Sequence, residues 1–265
     1  MKLIADNLRI TKPEIVRAFE TGNPEPLQAL VKKCEANGAW AIDVNTGPLG
    51  KQFKKGMAFF IEVVQAVTDL PLVIDTSNPD AMETGLSMVK NRPVINGYSL
   101  EPRKLEKILP LAKAYDADII GFLLYPDSRV PKDEAQRYEI AIDLIAAAQA
   151  AGVANERIII DPVVPPLAWD DGILQARAVL NVIRTLPDLL GFPVRTIAGL
   201  SNLTTGAADK AKKNLVEQNY AALLAGAGLD YLLMDILNEK TRLAANTADV
   251  LLTQDIFSWA MVGSV

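Results

Sequence analysis

The chain alternates short apolar runs, rich in β-branched residues, with longer stretches whose apolar residues recur at helical spacing. Short β-branched runs predict buried strands, and the stretches between them predict helices. The predicted strands are Leu3–Ala5, Trp40–Val44, Leu72–Ile74, Val94–Ile95, Ile119–Leu124, Arg157–Ile160, Val194–Ala198 and Tyr231–Met234. Because no long flexible linker interrupts the alternation, we expect parallel strands joined by right-handed crossovers.

Eight strand–helix units predict a (β/α)8 barrel, the TIM-barrel class of α/β folds, as a single domain over residues 1–265. A doubly wound open sheet is the alternative, since the number of strands alone does not show that a sheet closes. No Gly-x-Gly-x-x-Gly pattern follows the first predicted strand. The open-sheet fold that binds dinucleotides therefore lacks its usual sequence fingerprint.

Composition narrows the range of partners and the expected location. The net charge of −5, without a Lys/Arg block, argues against nucleic-acid binding, which needs a basic face. No apolar stretch reaches the ~18 residues that a membrane span requires, and the N-terminal sequence lacks a signal-peptide pattern. A single cysteine, Cys34, fits a reducing compartment, so we expect a cytoplasmic protein.

The sequence contains no histidine. This excludes catalytic triads that depend on histidine and metal sites built from imidazole, and no paired Cys/His ligands suggest zinc. We therefore expect no bound metal. Proton transfers in this chain must use carboxylates, lysine, tyrosine or water.

Polar residues follow four of the apolar runs, in the segments AIDVNTG, VIDTSN, IIIDP and AGLSN. Residues at the carboxyl ends of barrel strands point into the active-site mouth, so these segments predict one polar pocket. Carboxylates such as Asp75 and Asp161 can accept two parallel hydrogen bonds from a heterocycle with adjacent N–H groups. The amides of Asn96 and Asn202 can both donate and accept. These residues also have alternative roles. The carboxylates and amides could cap helices or form turns, and Asp43 could hold a neighbouring loop.

Six motifs resemble, in order and spacing, those of the pterin-binding methyltransferase family, most closely the methyltetrahydrofolate:corrinoid protein methyltransferases. They are DVNTGP at Asp43–Pro48, IDTSNPDAMETGL at Ile74–Leu86, IN at Ile95–Asn96, VPKD at Val130–Asp133, IDP at Ile160–Pro162 and GLSN at Gly199–Asn202. Each motif alone is weak evidence, but the ordered set covers nearly the whole chain. The family fold is a (β/α)8 barrel, commonly a homodimer, that holds a pterin in its mouth.

The resemblance implies methyl transfer between tetrahydrofolate, as 5-methyltetrahydrofolate, and the cobalt of a cobalamin-type corrinoid carried by a partner protein. Anaerobic O-demethylation or another one-carbon pathway is the expected setting. By resemblance, Asn202 approaches the nitrogen that carries the methyl group. Because the chain has no histidine, we hypothesise that Asn202 hydrogen-bonds the developing charge and that a water polarised by Asp75 or Asp161 relays the proton. The expected pterin-binding residues are Asp43, Asn45, Asp75, Asn96, Asp161, Gly199, Ser201 and Asn202.

The chain departs from the family at two places. Ala5–Arg9 reads ADNLR where the family usually has Gly-Glu-Arg-Ile-Asn, so the contacts of the first loop are left open. Thr205 stands where the family often has glutamine, and an arginine expected beyond it falls in a longer loop. Three lysines in that loop could meet the carboxylates of the folate tail or form a solvated face: Lys210, Lys212 and Lys213.

Two other functions fit parts of the pattern. Dihydropteroate synthase shares the barrel and the pterin site, but its loop Asn-x-Thr-Pro-Asp-Ser-Phe is replaced here by Val44–Pro48. Its Ser-Arg-Lys sequence near the seventh strand is replaced by Ser201–Leu203. A non-catalytic pterin-binding scaffold subunit would keep the ring contacts without turnover, and the presence of Asn202 argues against it.

Overall fold

The computed structural model describes residues 1–47 and 52–262. Pro48, which ends the first motif and the Val44–Pro48 segment, lies outside the described residues. Within the described part of the chain, eight parallel strands close in chain order into a barrel, with β8 pairing back to β1. They are β1 (Lys2–Arg9), β2 (Ala41–Asn45), β3 (Leu72–Asp75), β4 (Val94–Tyr98), β5 (Asp118–Phe122), β6 (Ile158–Asp161), β7 (Arg195–Gly199) and β8 (Tyr231–Met234). The predicted TIM-barrel fold is confirmed, and the open sheet is excluded.

Helices follow the strands and cover the outside of the barrel. Those in the described residues are α1 (Pro13–Thr21), α2 (Glu25–Ala36), α3 (Phe53–Gln65), α4 (Pro79–Met88), α5 (Pro102–Lys107), α6 (Leu109–Ala114), α7 (Glu134–Ala150), α8 (Gly172–Leu190), α9 (Lys210–Gly226) and α10 (Glu239–Leu252). Several begin at a side-chain cap. At the start of α7, for example, the Asp133 side chain accepts a hydrogen bond from the backbone N–H of Gln136. Among these helices, none is both long enough and apolar enough to cross a membrane.

The barrel interior is filled by one apolar layer to which each strand contributes one buried residue. Its members are Ile4, Ala41, Val73, Val94, Ile120, Ile159, Ile197 and Tyr231. A larger apolar cluster lies between the outer faces of the strands and the helices. The inner layer makes the barrel a packed core, so a ligand has room only at its ends.

Strand β1 is longer than the sequence pattern predicts. Its register against β2 shifts between Ala5 and Leu8, which breaks the simple alternation of inward and outward residues. Asp6 and Asn7 are consequently both buried although they are adjacent, and the strand continues to Arg9. The departure from the family pattern at Ala5–Arg9 therefore lies within a strand, where it places polar side chains at the mouth of the barrel.

Gly97 in β4 packs directly against β5. A Cβ at this position would lie 2.3 Å from the carbonyl oxygen of Ile120, so the backbone would have to move. We expect Gly97→Ala to lower the free energy of unfolding by about 1–3 kcal/mol, the usual cost of overpacking. Chemical denaturation would measure the change.

Gly226→Ala provides the matched control, because no atom lies within 4 Å of a Cβ added at this last residue of α9. We expect this substitution to leave stability unchanged or to raise it by up to ~1 kcal/mol, since alanine favours the helix. If Gly97→Ala unfolded at the same denaturant concentration as the wild type, the tight packing of β4 against β5 would be contradicted.

Candidate active site

A cavity of about 500 Å³ opens at the carboxyl ends of the strands. Its floor includes Ile120 and Ile197 of the inner apolar layer. All eight residues that the sequence indicated contribute to its wall: Asp43, Asn45, Asp75, Asn96, Asp161, Gly199, Ser201 and Asn202. They meet there because the carboxyl ends of parallel strands converge at one mouth of the barrel.

Asp75 ends β3 and faces Asn45, its register partner in β2. The Asn45 side-chain nitrogen donates to Asp75 Oδ2, while Asn45 Oδ1 accepts from the Gly47 backbone N–H at 3.1 Å. Burial raises the pKa of Asp75 to about 6, although the hydrogen bond from Asn45 and the positive charges of Arg9 and Lys104 lower it. The site therefore holds this carboxyl near its titration point at neutral pH.

The alternative role of Asp75 as a helix cap is wrong. Helix α4 is capped instead by Asn78, whose side chain accepts from the backbone N–H groups of Asp80 and Ala81. Asn96, the register partner of Asp75 in β4, likewise belongs to a strand and not to a turn. Both polar side chains are thus available to the cavity.

Asp43 is the most deeply buried carboxyl of the cavity, with 1% of its surface exposed. Its Oδ1 atom is enclosed and has no hydrogen-bond partner among the described residues. Burial, together with the nearby carboxyls of Asp75 and Asp6, raises the pKa of Asp43 well above its ordinary value. An enclosed polar atom without a partner costs about 1–3 kcal/mol, so Oδ1 is a natural contact for a polar ligand.

Asp161 ends β6 and begins a strained turn. Its Oδ1 accepts from the Val163 N–H at 2.7 Å, and Val163 has a φ of 64°, a left-handed conformation that β-branched residues rarely adopt. Burial raises the pKa of Asp161 to about 7, partly offset by the Val163 N–H and by the positive charge of Arg137. The fully buried Arg137 also fixes this turn by donating from Nε to the Pro162 carbonyl at 3.0 Å.

Asn202 lies in a 3-10 turn, Leu200–Thr204, that follows β7 directly. Its exposed side chain makes no hydrogen bond to any described residue, so it is free to meet a ligand. A Cβ on Gly199 would lie 3.3 Å from Asn202 Nδ2, a close contact that glycine avoids. Ser201 points its hydroxyl to Arg9, whose Nη2 donates to Ser201 Oγ at 3.2 Å.

Arg9 and Lys104 line the cavity but were not identified from the sequence. Arg9 ends β1 and pairs with Asp6. Lys104 comes from α5 and places its Nζ 5.5 Å from the centre of the Phe122 ring. Arg9 could have been found by extending the first strand, whereas a lysine within a helix carries no strand-end signal. The two cations place positive charge beside the carboxylates of the cavity.

The chain is similar to known proteins over most of its length. Residues 10–235 match the profile of a family described as pterin binding enzyme. The methylcorrinoid:tetrahydrofolate methyltransferase of Eubacterium limosum is 26% identical over 261 residues, which cover 96% of this chain and 92% of the relative. The crystal structure of dihydropteroate synthase from Thermus thermophilus has a TM-score of 0.66 at 20% identity, covering 94% of each chain. At that identity, the structural likeness shows the fold alone.

Proposed function

Since the chain belongs to the pterin-binding enzyme family, we propose that it is a methyltransferase acting between tetrahydrofolate and the cobalt of a corrinoid protein. The observation that carries the proposal is the single cavity lined by the carboxyls of Asp43, Asp75 and Asp161 and by the amide of Asn202. The Eubacterium limosum relative, whose name states this reaction, aligns over nearly all of both chains.

The carboxyls of Asp43, Asp75 and Asp161 suit the pterin ring. A pterin presents an amino group and adjacent ring N–H groups, which donate hydrogen bonds to carboxylates. Asp43 offers an enclosed oxygen without a partner in residues 1–47 and 52–262, and Asp161 uses only Oδ1 in its bond to Val163. In the proposed complex, the N–H groups of the ring donate to these carboxyl oxygens, and the amide of Asn96 makes a further contact with the ring.

Asn202 is assigned to the folate nitrogen that gains or loses the methyl group. Its amide has an acceptor and two donor hydrogens, so it can hydrogen-bond this nitrogen in either protonation state. The corrinoid cobalt of the partner supplies or accepts the methyl group. When tetrahydrofolate is methylated its nitrogen loses a proton, and in the reverse direction the departing nitrogen must gain one.

Proton transfer is assigned to carboxyls, because the chain has no histidine. Burial raises the pKa of Asp75 to about 6 and that of Asp161 to about 7. Groups that titrate near neutral pH can exchange protons in both directions at physiological pH. We assign to Asp75 or Asp161 the polarisation of a water molecule that carries the proton to or from the folate nitrogen.

Folate affinity is expected to depend on pH. A ring N–H group donates best to an ionised carboxylate, and Asp161, whose pKa burial raises to about 7, gains a proton as the pH falls. We therefore expect the Kd for 5-methyltetrahydrofolate to be lowest above pH 7 and to rise up to about tenfold per unit below it. Calorimetry from pH 5.5 to 8.5 would measure this, and a constant Kd or tighter binding in acid would contradict it.

The partner and the setting are parts of the same proposal. The corrinoid protein docks over the open mouth, where Trp169 and the first turn of α8 present exposed apolar side chains. Transfer from methylcorrinoid to tetrahydrofolate fits the relative's name and the needs of an anaerobic O-demethylase system. A cytoplasmic location agrees with the buried, unpaired Cys34.

We also propose a homodimer. Large apolar side chains near the end of α10 and beyond it are exposed, including Ile256 at 95% and Trp259 at 82%. Exposed apolar groups in such number are typical of an interface between chains. Sedimentation should give a dimer mass for the wild type and a monomer for Ile256→Lys/Trp259→Lys; a monomeric wild type would refute the dimer.

The experiment that tests the proposed function mixes the protein anaerobically with methylcobalamin and tetrahydrofolate and follows both products. We expect 5-methyltetrahydrofolate and cob(I)alamin to form in equal amounts. A parallel reaction with 6-hydroxymethyl-7,8-dihydropterin pyrophosphate and 4-aminobenzoate tests dihydropteroate synthesis and should yield nothing. Condensation in that reaction would contradict the proposal, and so would binding of tetrahydrofolate without methyl transfer from either methylcobalamin or a methylated corrinoid protein.

A further inference from the structure

A second cavity, of about 560 Å³, lies beside the first. The two share Arg9 and Ser201, so they meet where the Arg9 guanidinium donates to the Ser201 hydroxyl. The wall of this second cavity comes from the ends of β1 and β8, from the turn after β7, from the first two turns of α9 and from the first turn of α10. A ligand that leaves the pterin cavity past Arg9 and Ser201 enters it directly.

Basic side chains characterise this cavity, which we call the lysine cavity. Lys12, Lys210 and Lys240 line it, and none has a carboxylate within 4.0 Å among residues 1–47 and 52–262. The three lysines that the sequence indicated for the folate tail lie in the first turn of α9, so their predicted placement in a loop is wrong. Of the three, Lys210 and Lys213 line this wall and Lys212 does not. The unpaired ammonium groups favour an anionic ligand.

Three of the four carboxylates in the same wall already have partners in the protein. Asp6 pairs with Arg9, and Asp235 accepts from Asn7 and from the Leu237 backbone N–H. Of the remaining two, Glu217 accepts from Thr204 and lies 3.7 Å from Lys213, while Glu239 is exposed in the first turn of α10. Acidic groups in a first helical turn are favoured by the helix dipole. Among the described residues, the wall therefore keeps three unpaired ammonium groups and a small net positive charge.

Thr241 gives an independent sign of a ligand. This residue lines the cavity and is 1% exposed, and its Oγ1 has no hydrogen-bond partner among the described residues. Its backbone N–H is used in the cap of α10, where it donates to Asn238. A buried hydroxyl without a partner is costly, and a carboxylate would accept its hydrogen.

We propose that the lysine cavity binds the γ-linked glutamate tail of a polyglutamylated folate, an inference that rests on the proposed function. Each glutamate of this tail carries an α-carboxylate, and the last one carries a further carboxylate. The tail is covalently joined to the pterin in the neighbouring cavity, so its local concentration is high. A free phosphate has the same charge chemistry but lacks this tether.

The test compares the affinities of three ligands for the full chain. They are 6-methyltetrahydropterin, which has no tail, tetrahydrofolate with one glutamate, and tetrahydrofolate with five. We expect the pentaglutamate to bind roughly 10-fold or more tightly than the monoglutamate, since each exposed lysine–carboxylate pair contributes up to a few-fold. The preference should shrink as the salt concentration rises.

The variant Lys210→Ala/Lys240→Ala removes two exposed lysines and is expected to lose most of this preference. Its affinity for 6-methyltetrahydropterin should not change. Lys210→Arg/Lys240→Arg keeps the charge and should keep the preference. Lys32→Ala/Lys33→Ala, on the exposed face of α2, removes the same charge outside the cavity wall and should behave as the wild type.

The outcomes separate this inference from the proposed function. If the tail-less pterin and both folates bind with equal affinity, or if the alanine pair keeps the preference, the lysine cavity does not hold the tail. Binding of inorganic phosphate without any preference for tail length would assign the cavity to phosphate and overturn the inference. If no tetrahydropterin binds at all, the proposed function fails and the inference falls with it.

Discussion

Asn202→Ala should slow methyl transfer by roughly 10- to 1000-fold, the range found when one preorganised hydrogen bond to a developing charge is removed. The charge changes at the folate nitrogen, and the Asn202 side chain lines the cavity without a hydrogen bond to any described residue. Because its side chain is exposed and bonds none of the residues that the structure describes, its removal should leave the fold intact. Ring affinity should also persist, since the carboxyls remain.

Single-turnover kinetics at saturating folate separates the rate of transfer from the strength of binding. Asn246→Ala is the matched control, since it removes an exposed amide from α10, outside the wall of the pterin cavity, and should react at the wild-type rate. An unchanged rate in Asn202→Ala would remove Asn202 from the mechanism. A large loss of folate affinity with an unchanged rate would make it a binding residue only.

Asp161→Asn should weaken the binding of 5-methyltetrahydrofolate by about 10- to 100-fold, the range expected for losing charge-assisted hydrogen bonds. Asparagine keeps an oxygen that can accept from Val163, so the turn after β6 should persist. The substitution replaces a charged carboxylate, both of whose oxygens accept hydrogen bonds, by a neutral amide, whose nitrogen donates them instead. The ring N–H groups would then lose the partner that the proposal assigns to them.

Asp161→Asn should not lower the stability of the fold, although it weakens folate binding. Burial raises the pKa of Asp161 in the folded state to about 7, so its ionised form is disfavoured by the fold and destabilises the protein as the pH rises. At pH 8, Asp161→Asn should therefore be at least as stable as the wild type while binding folate more weakly. Asp143→Asn, at an exposed position on α7, should change neither quantity. Unchanged folate affinity in Asp161→Asn would contradict the assigned role.

The sequence was sufficient to predict the barrel and to place eight residues at one mouth, because both follow from local patterns. Apolar runs predict strands, and residues such as Asp75 and Asp161 lie at the ends of strands. In a parallel barrel, side chains at these ends point into the mouth. The single mouth follows from parallel closure, since every strand then ends on the same side.

Features that depend on tertiary packing could not be predicted in this way. Strand β1 continues past Ala5 to Arg9 through an irregularity in its register. The continuation could not be predicted, because the polar residues Asp6 and Asn7 interrupt the apolar run although both are buried. Lys104 reaches the cavity from a helix, which no strand-end rule addresses. The left-handed Val163 is also invisible in the sequence, since residue type alone argues against that conformation.

The most direct measurement of the central claim follows an isotopically labelled methyl group. The full chain is mixed anaerobically with 5-methyltetrahydrofolate carrying a 13C methyl group and with cob(I)alamin, and the label is traced by 13C NMR. The account predicts that the label moves from the folate nitrogen to cobalt, with one tetrahydrofolate released for each methylcobalamin formed. Label that stays on bound folate, with cob(I)alamin and with a reduced corrinoid protein alike, would contradict it.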